Sequence, residues 1–344
     1  MMLEENPRMD VLRLVLLKRM ATLCAVLILA ITSVSAFIRL SNVGLGCADW
    51  PRCYGQNLRQ AQQGKEAKVG NVTNGAAESS ATVGARMVHR VLAVAALLLI
   101  LIMAMACFTA KPVMWRAGWM TLLLLALALF LAVLGRWSSG ARVPAISMGN
   151  LLGGFAMLAL CWRLRQEARM AAESAIATGT GAAAQSSGSG QHWMKTWAWL
   201  GVAALLCQIA LGGLVSAGYA SLSCTGLPGC GGRQGDFAGM TLAALDPWRE
   251  PSFAETAQPP ANPAGAASHM AHRYGTLVSL LVLIPLGLAA LRGGRRRTAW
   301  LLLSLLVVQV YLGLLLVALS LPLAGALAHN LIGTLLLAVV FSLV

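Results

Sequence analysis

The sequence predicts an all-α polytopic membrane protein, with eight transmembrane helices forming two tandem four-helix bundles related by a pseudo-twofold axis along the membrane normal. Three observations predict it. The chain of 344 residues is 58% hydrophobic and 11% charged, and its apolar runs recur at the length a helix needs to cross ~30 Å of hydrocarbon. Its densest basic clusters, Lys18-Arg19, Arg163/Arg165/Arg169 and Arg292–Arg297, all fall on one side of those runs. Finally, three short motifs of the first half return in the second.

In chain order, a polar, basic segment (1–19) precedes span 1 (20–39), which has no clear cleavage site behind it and is expected to be retained. A polar stretch, 40–81, leads to span 2 (82–108). Lys111, Pro112 and Arg116 turn the chain into span 3 (118–135), and Arg136 to Arg142 turn it into span 4, which runs from Pro144 to about Trp162. Residues 163–195 start with arginines and pass into an Ala/Gly/Ser tract, the composition of a flexible linker. Span 5 (196–217), a second polar stretch (218–267), and spans 6 (268–290), 7 (299–319) and 8 (322–343) complete the chain. The domains expected are a first bundle over 20–162 and a second over 196–344. The positive-inside rule assigns the basic clusters and both termini to the cytoplasm. Trp115, Trp119, Trp162, Trp193, Trp197, Trp199 and Trp300 then form an aromatic belt at the inner boundary. Two polar loops face outward.

The duplication is read from matching offsets. Leu45-Gly-Cys-Ala-Asp-Trp-Pro-Arg-Cys53 and Leu222-Ser-Cys-Thr-Gly-Leu-Pro-Gly-Cys230 share Leu, Cys, Pro and Cys. Met87-Val-His-Arg90 matches Met270-Ala-His-Arg273, and Val143-Pro-Ala145 matches Leu321-Pro-Leu323. A four-span unit repeated once keeps its orientation.

A net charge of +14 would suit nucleic acid. Loop bias and arginines beside an anionic cofactor explain it in a membrane protein, and no nucleic-acid motif is present. Ionisable side chains inside a span are costly and mark sites. His272 lies about four residues into span 6 and His329 about seven into span 8, so both sit within roughly 10 Å of the outer boundary. They can face one another as axial ligands of one haem, and His89 repeats the depth in span 2. A lone histidine would more simply hydrogen-bond a neighbouring helix; the repeated His-Arg favours ligation. Arg39, Arg86, Arg90 and Arg273 at the outer ends either snorkel to headgroups or pair with haem propionates, Arg90 and Arg273 being favoured because they follow the histidines.

Eight cysteines divide into two classes. Cys24, Cys107, Cys161 and Cys207 lie in spans as apolar packing. Cys47 with Cys53, and Cys224 with Cys230, lie in outer loops, where a local disulfide in each is expected. A four-cysteine metal site across the loops lacks a usual zinc spacing, and a redox-active role stays open.

Arg39-Leu-Ser41 followed by Gly44-Leu-Gly-Cys-Ala-Asp-Trp-Pro51, with the His-Arg pairs and the Cys-x5-Cys loops, resembles the haem A synthase family over almost the whole chain. The resemblance implies a bacterial inner-membrane oxidoreductase that converts a methyl group of haem O to a formyl group, giving haem A for terminal oxidase assembly. It implies haem b held by His272 and His329, substrate haem handled around His89, and haem O synthase, oxidase assembly factors and a second copy of the chain as partners, in a lipid setting.

The chain departs from that family at two places. Arg86 stands one turn before His89 where a glutamate is usual, and span 4 reads Asn150-Leu-Leu-Gly-Gly154 where a second histidine is usual. Internal alignment puts Leu151 or Gly149 opposite His329. The first half then offers one strong axial ligand, His89 facing Asn150, which implies either an open iron position for oxygen chemistry or a diverged site. Asp49 and Glu78 are the nearest outer carboxylates that could replace the missing acid. A membrane cytochrome b without porphyrin chemistry is the competing reading. A repeat-built transporter is weaker, for want of Gly/Pro-broken spans at midplane.

Overall fold

The computed structural model describes residues 7–56, 58–59, 80–110, 113–138, 143–179, 190–230, 242–251, 262 and 265–344. Every expected span is a helix: α1 Pro7–Asn42, α2 Ser80–Thr109, α3 Trp115–Ser138, α4 Pro144–Gly179, α5 Gly190–Ala217, α6 Gly265–Arg292, α7 Arg296–Ala318 and α8 Leu323–Phe341. A 3-10 turn, Leu242–Leu245, lies in the second outer loop, and no strand occurs among the described residues. All eight helices are long and apolar enough to cross a membrane. Glu78, Lys111, Pro112, Arg142 and the tract 180–189 lie outside the described residues.

The reading of 163–195 as linker is corrected over most of its length. Helix α4 does not stop near Trp162 but continues to Gly179, and α5 already begins at Gly190. The physical reason is local. Arg-Leu-Arg-Gln-Glu-Ala-Arg-Met-Ala-Ala is rich in strong helix formers, and ion pairs one turn apart support it, Arg163 with Glu167 at 2.7 Å and Arg169 with Glu173 at 2.7 Å. Glu167 also meets Arg116 at 3.0 Å, which ties the start of α3 to α4. Helix α1 likewise reaches back to Pro7. At 36 residues, α1 and α4 would each extend about 54 Å, well beyond the ~30 Å core. Their inner ends run on together, burying Leu17, Leu164 and Ala168 in one cluster.

The two halves use the same neighbours. Helix α2 packs on α1 and α3, and α3 on α4; α6 packs on α5 and α7, and α7 on α8. They join where α4 meets α5 and α8, and where α1 meets α8. Between helices in lipid, close packing replaces the hydrophobic drive, and small residues permit it. Helix α4 uses glycines this way. A Cβ on Gly154 would strike Thr32 of α1, one on Gly149 would strike Leu134 of α3, and one on Gly153 would strike Leu131 of α3. Deeper in, the sulfur of Cys161 lies 3.3 Å from that of Cys24, so α1 and α4 stay in contact over much of their length. In the second half the apolar core, including Leu205, Leu283, Leu302 and Leu337, occupies the inner part of the bundle. There α5 meets α8 through Gly201 against Val340 and Trp199 edge-on to Phe341.

Both outer loops close on themselves, with Cys47 and Cys53, and Cys224 and Cys230, at disulfide distance. The first loop seats its own apolar face on the other half: Leu40, Val43, Leu45 and Tyr54 pack with Leu222, Leu321 and Leu323. The Trp50 indole donates to the Ser320 carbonyl at 3.1 Å. Tyr54 is fully buried, accepts the Ser221 N–H at 3.4 Å and meets the Tyr219 ring at 5.8 Å. Burial pushes its hydroxyl up to about 12, so it stays protonated.

The turn that launches this loop depends on Gly44, whose φ of +102° favours glycine. A Cβ there would meet the Cys53 carbonyl oxygen at 2.7 Å. Gly44→Ala is therefore expected to destabilise the protein by about 1–3 kcal/mol, read as a lowered thermal midpoint in detergent. An unchanged midpoint would mean the loop contributes nothing to the fold.

Candidate functional site

The rings of His272 of α6 and His329 of α8 meet edge to face at the loop end of the second bundle. Their ring centroids are 6.4 Å apart with planes inclined at 74°. An imidazole nitrogen sits about 2 Å from a bound metal, with its ring centre roughly another ångström behind, so two histidines that shared one metal would have ring centroids up to about 6 Å apart. The observed spacing fits.

Each ring rests on a glycine of the neighbouring helix. A Cβ on Gly212 of α5 would come within 2.9 Å of His272 Cε1, and one on Gly313 of α7 within 3.4 Å of His329 Cε1. Two glutamines complete the layer. Gln208 of α5 donates its amide to the His272 carbonyl and to the Thr276 hydroxyl, both at 2.9 Å. The Gln309 amide of α7 lies 3.1 Å from His329 Nε2. Four buried polar atoms in this layer have no partner: Nδ1 of each histidine and Oε1 of each glutamine. Unpaired polar atoms at that depth are costly, and a bound group that supplied partners or coordination would relieve them. The donor set fits a haem: two neutral nitrogens at axial spacing above an apolar floor.

The arginines divide in a way the sequence did not show. Arg273 grips the second loop, its Nη1 donating to the carbonyls of Gly226 (2.7 Å), Gly229 (2.7 Å) and Pro228 (3.2 Å) and its Nη2 to Cys224 (2.9 Å). Its Nε remains buried without a partner. Arg39, at the outer end of α1, crosses to the second half, where Nη2 donates to Asn330 Oδ1 at 3.3 Å, one residue from His329. Its Nε is also unpartnered. Arg90 is exposed, and no hydrogen bond or ion pair joins it to His89 or the loop among the described residues. His269, one turn before His272, is buried, and its Nδ1 donates to the Ala220 carbonyl at 3.2 Å. That bond fixes its tautomer and anchors α6 to the chain leaving α5.

The first half is arranged differently. His89 is half-buried, and Met87, Val88 and Val91 around it are exposed on the outer surface of α2. Asn150 is half-buried on α4 and Asp49 is exposed in the first loop. No hydrogen bond or ring contact joins these three among the described residues. Of the two positions that match the second histidine, Gly149 lies under Leu134 of α3 and Leu151 packs against the apolar core of the second half. His192 falls in α5 at the far side of the membrane from this layer. Sequence reasoning missed Gln208, Gln309 and Gly212. The first two carried a signal, an amide inside an apolar run; Gly212 carried none.

Comparison with known proteins follows the geometry. A family model for cytochrome oxidase assembly proteins matches residues 18–341. A protein of Shewanella oneidensis named heme A synthase is 30% identical over 307 residues, covering 88% of each chain.

Two outcomes test the site. Gly212→Ala, which must push the His272 ring aside, is expected to lower occupancy of the histidine pair by added haem about tenfold, whereas Gly313→Ala, in ordinary contact, leaves it unchanged. Equal behaviour of the two variants in a spectroscopic titration would break the assignment of the glycine seat. Arg273→Lys loses the fork on four carbonyls and should lower the thermal midpoint while retaining the histidine-ligated spectrum. Loss of that spectrum at unaltered stability would mean that Arg273 acts on the cofactor instead.

Proposed function

The chain belongs to the family of cytochrome oxidase assembly proteins, and on that premise we propose that it is a haem A synthase, with the two halves dividing the work. The reaction converts a porphyrin methyl of haem O to a formyl group. Written against water, one methyl and one H2O give one formyl group, four protons and four electrons, so the protein needs both a place for the substrate and an outlet for electrons.

The observation that carries the assignment is the facing of His272 and His329 at 6.4 Å. These residues would hold a haem b, with Arg39 and the Nε of Arg273 near its propionates. Bound there, that group would supply one-electron transfer. The protein's own part is to keep both imidazoles neutral in an apolar layer, orient them on Gly212 and Gly313, and shut the outer side with the loop that Arg273 holds.

The first half takes the substrate. His89 offers one axial nitrogen, and the exposed apolar surface of Met87, Val88 and Val91 beside it suits a lipophilic porphyrin arriving through the bilayer. On α4 no histidine stands where α8 carries His329, and Asn150, beside that position, would leave a bound substrate haem without a second histidine ligand. Arg90 is free to meet a propionate of the substrate, and Asp49 is the nearest described acid of the outer loop. The two bundles are related by a pseudo-twofold along the membrane normal, and the protein lies in a bacterial inner membrane with both termini cytoplasmic. Haem O synthase upstream and the oxidase assembly machinery downstream are its natural partners.

The test is extraction and chromatography of haems from cells supplied with haem O, beside visible spectra of the purified protein. His272→Ala and His329→Ala are each expected to remove the sharp reduced-minus-oxidised bands, while His89→Ala spares the bands and abolishes haem A. Asn150→His, by closing the open position, should depress turnover without unfolding. Persistence of the bands in His329→Ala would sink the ligand assignment. Haem b without haem A from the unaltered protein would leave an electron-transfer cytochrome instead.

A further inference from the structure

We propose that Gln309 is a positioning residue that guards Nε2 of His329, the nitrogen through which this ring would ligate, and that must release it for a haem to bind; the proposal rests on the haem b reading above. The Gln309 amide nitrogen lies 3.1 Å from His329 Nε2. An amide NH2 only donates, so with this orientation the ring must present its Nε2 lone pair and carry its proton on Nδ1. Turning the carboxamide over would reverse the roles, with Nε2–H donating to Oε1. Both orientations cover the Nε2 corner of the ring. A lone pair engaged by the amide cannot be given to a metal at the same time, so ligation through Nε2 requires Gln309 to let go.

The arrangement is a holding state rather than a fully satisfied one. His329 Nδ1 and Gln309 Oε1 both remain buried without partners. The amide holds the imidazole in a single orientation. Gly313, on the same face of α7 one turn along, leaves room for the ring to swing once released, since even an added Cβ would stand 3.4 Å from Cε1.

The first half supplies an internal control. Gly149-Asn-Leu-Leu-Gly153 of α4 matches His329-Asn-Leu-Ile-Gly333 of α8. A Cβ on Gly333 would face Gln309 at 3.3 Å, and one on Gly153 would face Leu131. Leu131 therefore stands where Gln309 stands, and Gly149 where His329 stands. The carboxamide is present in the half that has the second histidine and absent from the half that lacks it. A glutamine serving only to bridge helices would have no reason to follow the histidine.

The experiment uses the full chain, purified in detergent from cells limited for haem, and titrates it with ferric protohaem while following the absorption of the histidine-ligated form. Gln309→Leu, which installs the side chain the first half already tolerates, removes the hydrogen bond that binding must break and is expected to tighten protohaem about fivefold. Gln309→Glu puts a charge-assisted acceptor on Nε2–H and should weaken it about tenfold. Opposite signs are the diagnostic, since mere damage to packing would weaken both. Unchanged or weakened binding in Gln309→Leu overturns the proposal. His329→Ala is run alongside: if it binds with the wild-type spectrum, the ligand reading has failed and the role of Gln309 falls with it. If His329→Ala loses the spectrum yet Gln309→Leu does not tighten, the ligand reading stands and the guard alone is refuted.

Discussion

The cost of placing hydrogen-bonding groups in hydrocarbon governs this structure. A helix satisfies its own backbone, so eight of them can cross the bilayer at no penalty, but every polar side chain carried inside must find a partner from another helix or from a ligand. The second bundle concentrates such groups in one layer. Two histidines and two glutamines from four helices meet there with their demands only half met. That shortfall separates a binding layer from ordinary interhelical glue. Below it, a dry apolar core fixes the helices, so the incomplete layer keeps its geometry.

A duplicated unit need not keep two equivalent sites. In the first bundle the glycines of α4 bring it against α1 and α3, and leucines occupy the places where the second bundle carries polar side chains. His89 is left on the flank instead of in the centre, with apolar neighbours open to lipid. On the proposed reading one half is a socket and the other a face. Such a division suits a reaction in which one haem is retained and the other must enter and leave.

Much of the fold was legible because membrane helices are announced by composition. Span order and the depth of His272 and His329 follow from apolar run length and helical rise, with no knowledge of packing. What stayed hidden depends on groups that leave no mark in a sequence. The acceptors gripped by Arg273 are backbone carbonyls of Cys224 to Gly229, which any residues could supply, so the arginine read as a partner for propionates. Arg39 belongs to the first half by position and to the second by contact, because α1 leans on α8. The extension of α4 was hidden for another reason: a Gly/Ser-rich tract after Gly179 masked good helix formers before it. Gln208 and Gln309 were visible as anomalies in apolar runs but were passed over beside the histidines.

The seating of the first outer loop on the second bundle bears on how the protein is made. Tyr54 and Trp50 are synthesised long before α8, yet their partners are Tyr219, the Ser221 amide, the Ser320 carbonyl and the start of α8. The loop is made with its apolar face bare; the segment after α5 can cover part of it, and cover is complete only when the start of α8 is in place. Its internal cross-link at Cys47 and Cys53 gives it a shape of its own over that interval. Closure of the two halves is thus a late event in biogenesis. Neither half, expressed alone, would present the surface that the other needs for completion.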